Sequence, residues 1–379
     1  MTLGSLFDGS GGFPLAGVIN GMTPVWASEI EPYPLKVTAA RFPNMKQLGD
    51  VTKIDGAGIE PVDVITFGSP CQDLSVAGKQ VGIHDGKRSS LFFEAVRIIK
   101  EMRGITDGKY PRFAVWENVP GAFSSNKGAD FRAVLQALCE IAEPSASVPE
   151  PPKGKWEKSG CIVGDGYSIA WRVYDAQYWG VPQRRKRIYL VADFGSERAG
   201  EILFERESVR GDSAESGEAR EGTAGDATGG TGRIRVYDCR GNGDGCTVPN
   251  LTGDHENRVT DYTSVCVGNG QMHQTELCDR TGALNCMHDQ QAIIHNAKPP
   301  RRYIVRRLTP LECCRLQGFP DWWEDGANGS DSARYKMWGN GIALPCAADV
   351  MRRIAEECKI CTPLHNAALD LHSKPMVTL

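Results

Sequence analysis

The first third of this 379-residue chain alternates short β-branched runs with helical segments, and that alternation limits its fold more than any other feature. Helix-favouring segments separate four strand-like runs, at 2–7, 24–28, 62–67 and 113–116. Strands joined by helices of this length form right-handed βαβ units, whose parallel sheet is covered on both faces. The sequence therefore predicts an α/β fold built on a doubly wound, mostly parallel sheet. Two later runs, 167–174 and 187–192, are predicted to pair at one edge of that sheet.

Composition limits the class of protein. Hydrophobic residues make up 41% of the chain and charged residues 24%, which is typical of an ordinary globular protein. No stretch is apolar over the length of a membrane span, and the first residues lack a basic, apolar leader. Thirteen cysteines, an odd number without a disulfide-type framework, favour reduced thiols. We therefore expect a cytoplasmic protein that does not contact a membrane.

The cysteines give little support to a metal site. Cys358 and Cys361 form a CxxC pair near the end of the sequence. A structural zinc site needs a second pair, and Cys278, Cys286 and His288 do not have the matching spacing. We therefore expect no bound metal.

Three parts of the sequence interrupt the alternation. Residues 143–160 are rich in proline and predict an exposed loop. Residues 208–232 are Gly-rich and acidic, and they hold too few large apolar residues to offset the entropy of ordering, so we expect a flexible stretch. Residues 234–294 carry short strand-like pieces broken by glycine-rich turns, which predicts a smaller, irregular β-rich module. Helices are predicted at 310–317 and 344–358.

Cys71 lies in the sequence Gly-Ser-Pro-Cys-Gln, directly after the run 62–67. That run is β-branched and bounded by glycine and proline, which predicts a buried parallel strand with Cys71 just beyond its carboxyl end. Ligands of open α/β sheets bind at that edge. Most cysteines of intracellular proteins are small buried hydrophobic residues, so the position makes Cys71 a candidate nucleophile and no more.

Three further turns are predicted to reach the same edge. The turn 8–12 is rich in glycine, which lets a ligand approach the backbone, although a simple tight turn would also explain the composition. Pro14 replaces the last glycine of the GxGxxG pattern, which disfavours a pyrophosphate ligand. Glu29 suits a ribose hydroxyl, and Asp50 suits an adenine amino group. Together these preferences describe a nucleoside without phosphates, and S-adenosylmethionine is the obvious one.

Charged residues are expected to complete this edge. Glu117 follows the run 113–116, and a carboxylate on the same rim as Cys71 would give the nucleophile and acid that covalent catalysis needs. Although the net charge is −4, the run 184–187 is densely basic and suits a phosphate or a substrate carbonyl. Helix capping and solvated surface are the structural alternatives for these charges.

Six motifs occur in a fixed order along the chain. They are Phe-Asp-Gly-Ser-Gly-Gly-Phe from Phe7, Gly-Ser-Pro-Cys-Gln around Cys71, Glu-Asn-Val from Glu117, Gln-Arg-Arg-Lys-Arg from Gln183, Arg-Leu-Thr-Pro-Leu-Glu from Arg307, and Gly-Asn-Gly around Asn340. In this order they resemble the motif series of the DNA (cytosine-5)-methyltransferases of the bacterial and phage modification type. The resemblance spans nearly the whole chain. The region between the basic motif at 183–187 and the Arg307 motif corresponds to the family's variable target-recognition domain.

The resemblance implies an S-adenosylmethionine-dependent enzyme that methylates carbon 5 of a cytosine flipped out of duplex DNA. Cys71 would add to carbon 6 of the base while protonated Glu117 stabilises ring nitrogen 3. Arg185 and Arg187 would favour the thiolate, and Gln72 begins the loop that closes over the base. The resemblance also implies cofactor contacts from Phe7, Gly9, Gly11, Gly12, Glu29, Ile30, Asp50, Val51, Pro70, Leu91 and Asn340.

The resemblance further implies a discontinuous catalytic and cofactor-binding domain, 1–197 with 337–379, and a target-recognition domain at 198–336. We expect double-stranded DNA as the partner and a monomer as the working form. A cognate restriction endonuclease would belong to the same system without direct contact. Two alternatives stay open: a tRNA cytosine-5 methyltransferase, whose usual Cys-Phe-Thr motif is absent from this sequence, and a non-catalytic DNA-binding protein on the same fold.

Overall fold

A computed structural model describes residues 1–69, 91–204 and 308–370, together with four short strands between 235 and 306, and the side chains of the last helix as far as Cys358. Within these residues, eight strands form one sheet. In chain order they are β1 (Thr2–Leu6), β2 (Thr23–Ser28), β3 (Lys46–Gln47), β4 (Val64–Phe67), β5 (Phe113–Asn118), β6 (Ser159–Val163), β7 (Ser168–Asp175) and β8 (Lys186–Asp193).

The strands lie in the spatial order β3-β2-β1-β4-β5-β8-β7-β6. The first five are mutually parallel, whereas β8 pairs antiparallel with β5, and β7 and β6 continue antiparallel to the far edge. The predicted doubly wound, mostly parallel sheet is confirmed, and so is the pairing of the runs 167–174 and 187–192. Because β8 runs opposite to β5, the amino end of β8 lies at the carboxyl edge of the parallel strands.

Helices cover both faces of the sheet. They are α1 (Gly12–Ile19), α2 (Pro32–Arg41), α3 (Leu91–Ile105), α4 (Ala129–Ala142), α5 (Ala199–Leu203), α6 (Pro310–Leu316), α7 (Asp331–Asn340) and α8 (Leu344–Asp370). Successive strand residues point to opposite faces. Phe113 and Val115 of β5 therefore join one core with α1 and α8, the α1-side core, while Ala114 and Trp116 join a second core with α3 and α4, the α3-side core.

The segment from Leu308 onward packs against the first helix. Thr309 caps α6: its Oγ1 accepts a hydrogen bond from the Glu312 N–H at 3.2 Å, and Glu312 Oε2 accepts one from the Thr309 N–H at 2.7 Å. Residues of α6, α7 and α8 share the α1-side core with β1 and α1. Asn20, at the end of α1, donates to the Ala348 carbonyl at 3.0 Å. The described residues 308–358 thus contact the N-terminal half directly, and the domain division at 336/337 stays a prediction.

The structure corrects several local expectations. Residues 143–160 are not simply exposed, because Val148 and Trp156 are buried in the α3-side core, and the Trp156 indole donates to the Gly128 carbonyl at 2.9 Å. Because the prolines indicate an exposed loop, the sequence does not predict the burial of Val148 and Trp156. The last helix continues to Asp370, twelve residues past its predicted end. The sequence interpretation also missed β6 and α7.

Four short strands lie in or near the predicted β-rich module, and they pair two by two. β9 (Arg235–Asp238) pairs antiparallel with β10 (Thr263–Cys266), and β11 (Ile293–Asn296) with β12 (Tyr303–Arg306). The stretch 208–232 that we expect to be flexible lies outside the described residues. In the described part of the chain, no helix has both the length and the apolar character that crossing a membrane requires.

A close contact between β1 and β2 generates the first prediction. Gly4 is aligned with Trp26, and a Cβ on Gly4 would lie 2.2 Å from the Trp26 ring, which is buried. Gly4→Ala should therefore lower the free energy of unfolding by about 1–3 kcal/mol through overpacking. Gly104→Ala in α3 is the control, because a Cβ there meets nothing within 4 Å, and it should raise stability by about 0.5–1 kcal/mol. Urea unfolding measures both values, and equal effects of the two substitutions would contradict the packing.

Candidate active site

The carboxyl ends of β4 and β5 are joined through Ser69. The Trp116 indole N–H donates to Ser69 Oγ at 3.1 Å, and the Asn118 amide donates to the Ser69 carbonyl at 3.0 Å. All three residues are buried. Asn118 Oδ1 in turn accepts a hydrogen bond from the Val119 N–H at 2.7 Å. Ser69 is the last described residue before Pro70 and Cys71. The main chain two residues before the predicted nucleophile is therefore held by two side chains of β5.

Glu117 and Arg187 form a buried ion pair at this edge. Arg187 Nε lies 3.0 Å from Glu117 Oε1, and both side chains are about nine-tenths buried, at 10% and 11% exposure. Arg187 also donates to the Lys186 carbonyl at 2.9 Å. Tyr189 stands directly opposite Glu117 in the strand register, and burial raises its pKa well above the ordinary value, so the hydroxyl is neutral. The Glu117 side chain is therefore held at the sheet edge by the Arg187 guanidinium.

Arg185, which directly precedes β8, contacts the C-terminal segment. Its side chain is buried and donates to the Gly341 carbonyl. Asn340, the exposed last residue of α7, comes directly before that carbonyl. The C-terminal segment also contacts the glycine-rich turn, because the Trp323 indole donates to the Ser10 carbonyl at 2.8 Å. The basic motif and the Asn340 motif therefore meet although about 150 residues of sequence separate them.

The first strand ends in a turn that is conformationally strained. Phe7 has φ +56° and Gly9 has φ +57°, a region that non-glycine residues occupy rarely and mostly at functional sites. Glu29 at the end of β2 closes the turn: its Oε2 accepts from the Gly9 N–H at 2.7 Å, and its Oε1 accepts from the Ile30 and Glu31 N–H groups at 2.7 and 2.8 Å. Glu29, the predicted partner of a ribose hydroxyl, thus already accepts hydrogen bonds from three main-chain N–H groups.

Asp50 follows β3 and belongs to the same rim. Ser28 donates to the Gly49 carbonyl at 2.6 Å, which ties the turn after β3 to the end of β2. Asp50 Oδ1 accepts hydrogen bonds from the Thr52 N–H at 3.0 Å and the Thr52 hydroxyl at 2.8 Å, and these bonds hold the pKa of Asp50 below its ordinary value. Asp50 is therefore ionised at neutral pH and caps the short 3₁₀ helix Val51–Lys53.

Asp8 is a buried carboxyl group within the glycine-rich turn. Its Oδ1 accepts a hydrogen bond from Ser5 Oγ at 2.7 Å, whereas its buried Oδ2 has no hydrogen-bond partner in the described structure. Burial, together with the charge of Glu29, raises the pKa of Asp8 to about 8 despite the opposing Ser5 hydrogen bond. Asp8 is thus mostly protonated near neutral pH.

The structure brings the predicted residues into two groups on one edge. Glu117, Arg185 and Arg187 lie at β5 and β8. The second group lies at the ends of β1, β2 and β3 and at the start of the two helices beside them: Phe7, Gly9, Gly11, Gly12, Glu29, Ile30, Asp50, Val51 and Leu91. Asn340 precedes Gly341, which lies close to both groups: its carbonyl accepts from Arg185, and a Cβ on it would lie 3.0 Å from Ser10 Oγ. Pro70, Cys71 and Gln72 lie outside the described residues, and the roles of all these residues stay predictions.

Sequence reasoning missed two features of the edge. Asp8 lies inside the glycine-rich motif, whose composition predicts only a turn; its position between a buried strand and a glycine is the local signal for its burial. Ser69 and Trp116 contact each other across two strands, and no sequence pattern reports that contact.

Within the described ranges, no three His, Cys, Asp or Glu side chains gather as a metal site.

Comparisons with known proteins give one family model that matches most of the chain and several methyltransferases as relatives. The sequence model described as C-5 cytosine-specific DNA methylase matches residues 1–142 and 163–356. The Type II methyltransferase M1.ScrFI of Lactococcus lactis subsp. cremoris is 28% identical over 360 residues, which cover 93% of this chain and 78% of that protein. A DNA N-6-adenine-methyltransferase of Escherichia phage P1 is 36% identical over 231 residues, but these cover 55% of this chain and only 30% of that protein.

A solved structure shares the fold. The S. pombe Dnmt2 methyltransferase superposes with a TM-score of 0.52 at 16% sequence identity, and the match covers 96% of this chain and 99% of that chain. At this identity the likeness concerns the architecture alone.

The contact between Trp116 and Ser69 generates the second prediction. Trp116→Phe and Ser69→Ala each remove one partner of a buried hydrogen bond, so a double-mutant cycle in urea unfolding should give a coupling energy of about 0.5–1.5 kcal/mol. Trp171 is the matched control, because its indole donates to the Glu157 carbonyl in the same α3-side core. Trp171→Phe combined with Ser69→Ala should be additive. Additivity of the Trp116 pair as well would show that the bond does not hold the β4 end.

The raised pKa of Asp8 generates the third prediction. The unfolded chain releases this proton near pH 3.8 and the folded chain only near pH 8, so the contribution of Asp8 to stability falls as the pH rises between these values. Asp8→Asn does not titrate. The unfolding free energy of Asp8→Asn minus that of the unchanged protein should therefore increase from pH 5 to pH 8.5 in urea titrations. A difference that does not change with pH would contradict a buried, protonated Asp8.

Proposed function

Because the chain belongs to the C-5 cytosine-specific DNA methylase family, we propose that it transfers a methyl group from S-adenosylmethionine to carbon 5 of cytosine in a specific duplex DNA sequence. The observation that carries the proposal is the family match over both the N-terminal sheet and the C-terminal helices. The ion pair of Glu117 with Arg187 also supports the proposal, because Glu117 lies on β5, the strand whose Trp116 binds Ser69.

The turns after β1, β2 and β3 fit the nucleoside half of the cofactor. A Cβ on Gly9 would meet its nearest atom at 4.0 Å and one on Gly49 would meet nothing within 4 Å, so both backbones are open to a ligand. Ile30 is 67% exposed beside Glu29 and leaves an apolar surface for a base ring. Glu29 would accept from a ribose hydroxyl, and Asp50 from an adenine amino group. The bound cofactor supplies an electrophilic methyl group.

On the substrate side, the target cytosine must leave the helix stack, because carbon 6 is not accessible in duplex DNA. The Cys71 thiolate forms a bond to carbon 6, and the electron pair of the ring double bond moves toward ring nitrogen 3. Glu117 in its protonated form donates a proton to that nitrogen, so carbon 5 becomes nucleophilic enough to be methylated. Loss of the proton from carbon 5 to solvent then re-forms the double bond between carbons 5 and 6 and expels the thiolate, and the proton on ring nitrogen 3 returns to Glu117.

Arg187 and Arg185 act as positioning and electrostatic groups in this scheme. Arg187 keeps Glu117 at the edge through its 3.0 Å contact. Their combined positive charge favours the thiolate form of Cys71, which is a minor species in a free cysteine near neutral pH. Gln72 follows the nucleophile and begins the loop that closes over the base.

We propose the same working form that the sequence resemblance implies. Residues 1–197 and 337–379 would bind the cofactor and catalyse the reaction, and 198–336 would read the DNA sequence from the major groove. The protein would act on double-stranded DNA as a cytoplasmic monomer. A cognate restriction endonuclease would need no contact with it.

The fourth prediction tests the reaction by its product. The full chain is incubated with isotope-labelled S-adenosylmethionine and either unmethylated bacterial DNA or total tRNA, and digested nucleosides are identified by mass spectrometry. We expect labelled 5-methylcytosine in DNA. Glu117→Gln should lower the rate by about 10²–10⁴-fold and Cys71→Ala should abolish it, whereas Cys139→Ala, a buried cysteine of α4, should retain full activity.

Other products would reject the proposal in distinct ways. N6-methyladenine in DNA would match the activity stated in the name of the phage P1 relative. 5-Methylcytosine in tRNA alone would select the RNA alternative. No labelled nucleoside, with DNA binding retained, would select the non-catalytic alternative.

A further inference from the structure

The segment after Asp50 packs unusually closely against α3. The Gly56 N–H donates to Glu101 Oε2 at 2.7 Å. A Cβ on Gly56 would lie 2.5 Å from the Ile98 carbonyl oxygen and 2.8 Å from the Ile98 Cα, so only glycine permits this approach. The segment that follows Asp50 is therefore fixed on the surface of α3.

Arg97 makes a second attachment between the same two elements. Its Nη2 donates to the Val51 carbonyl at 3.3 Å. Two carboxylates of α3 orient the guanidinium: Glu94 accepts from Nε at 2.8 Å, and Glu101 accepts from Nη1 at 2.9 and 2.8 Å. Because Glu101 also accepts from the Gly56 N–H, Arg97 and Glu101 together form a clasp that holds both ends of the segment 51–56.

We propose that Arg97 is a positioning residue for the adenine end of the cofactor site, a step that rests on the proposed function. The clasp joins two elements of that site into one rigid unit. One is α3, which begins at Leu91, and the other is the segment with Asp50 and Val51, which α3 holds. Arg97 does not touch the ligand in this account. It fixes the Val51 carbonyl and so the orientation of Asp50 before the ligand arrives, and such preorganisation increases affinity.

Charge alone does not explain the arrangement. The Val51 carbonyl already accepts a hydrogen bond from the Ile54 N–H at 3.3 Å, and the fork of Arg97 reaches out of its own helix to the same main-chain atom. Arginine is suited to this task, since its planar group can bind two carboxylates and a carbonyl at once, and lysine lacks that fork.

Arg352 on α8 is a closely matched control. It also has an acidic residue three positions before it and another four positions after it: Asp349 accepts at 2.7 Å and Glu356 at 2.8 Å. These hydrogen bonds all lie within its own helix. Arg352→Met thus removes the same kind of intrahelical ion pairs as Arg97→Met but leaves the segment 51–56 attached.

The fifth prediction is a binding measurement on the apo protein. Isothermal titration of the full chain with S-adenosylhomocysteine should give a dissociation constant about tenfold higher for Arg97→Met, within twofold of the unchanged protein for Arg352→Met, and intermediate for Arg97→Lys. Adenosine, which contains only the nucleoside, should lose affinity by the same factor as S-adenosylhomocysteine. Thermal unfolding of each variant confirms that it is folded at the titration temperature.

Three results separate the outcomes. If the unchanged protein does not bind S-adenosylhomocysteine, the proposed function itself fails. If it binds and Arg97→Met binds equally well, only the role of Arg97 is rejected. Equal losses in Arg97→Met and Arg352→Met would mean that helix stability, and not the clasp, governs binding.

Discussion

The antiparallel pairing of β8 with β5 is the constraint on which the candidate site depends. It reverses the chain direction directly beside the five parallel strands, so β8 begins, and does not end, at the ligand-binding edge. Arg187 therefore lies beside Glu117. The other end of β8 reaches the opposite edge, where Asp193 accepts two hydrogen bonds from Arg112 at 3.1 Å. A parallel strand in the same place would bring Asp193, and not the basic motif, to Glu117.

Side-chain bonds to the backbone then join the strand-end turns into one rim. Glu29 holds the turn after β1, Ser28 holds the turn after β3, and Asn118 holds the end of β4. Arg185 attaches the C-terminal segment through Gly341. Each bond connects turns that belong to different strands, so the proposed cofactor half and base half are fixed relative to the same sheet. This matters because reacting groups misplaced by about 1 Å lose much of their advantage.

The sequence predicted the elements whose pattern is local. The β-branched run before Cys71 and the run ending at Trp116 are buried central strands, as expected, because burial on both faces leaves a continuous apolar signature. The α7 helix (Asp331–Asn340) was missed because its polar and apolar residues do not alternate with helical periodicity. Trp156 was missed because prolines around it indicated a surface loop.

The candidate site was predictable only as a set of positions. Strand ends and motifs indicated which residues reach the edge, among them Glu117, Glu29 and Asp50. Contacts between distant segments were not readable, since the pairing of Arg97 with Val51 and of Trp116 with Ser69 depends on how two elements approach in space. A lone arginine on an amphipathic helix predicts a solvated face. Its partner across the segment 51–56 becomes visible only in three dimensions.

The central claim is that Cys71 bonds covalently to the base that is methylated. The direct measurement is the mass of the complex formed with S-adenosylmethionine and a duplex that carries 5-fluorocytosine at the methylated position, where fluorine cannot leave as a proton does. The account predicts a stable adduct with the added mass of the DNA strand and one methyl group, attached to the peptide that contains Cys71. An adduct on another cysteine, or none from an enzyme that forms 5-methylcytosine in ordinary DNA, would contradict it.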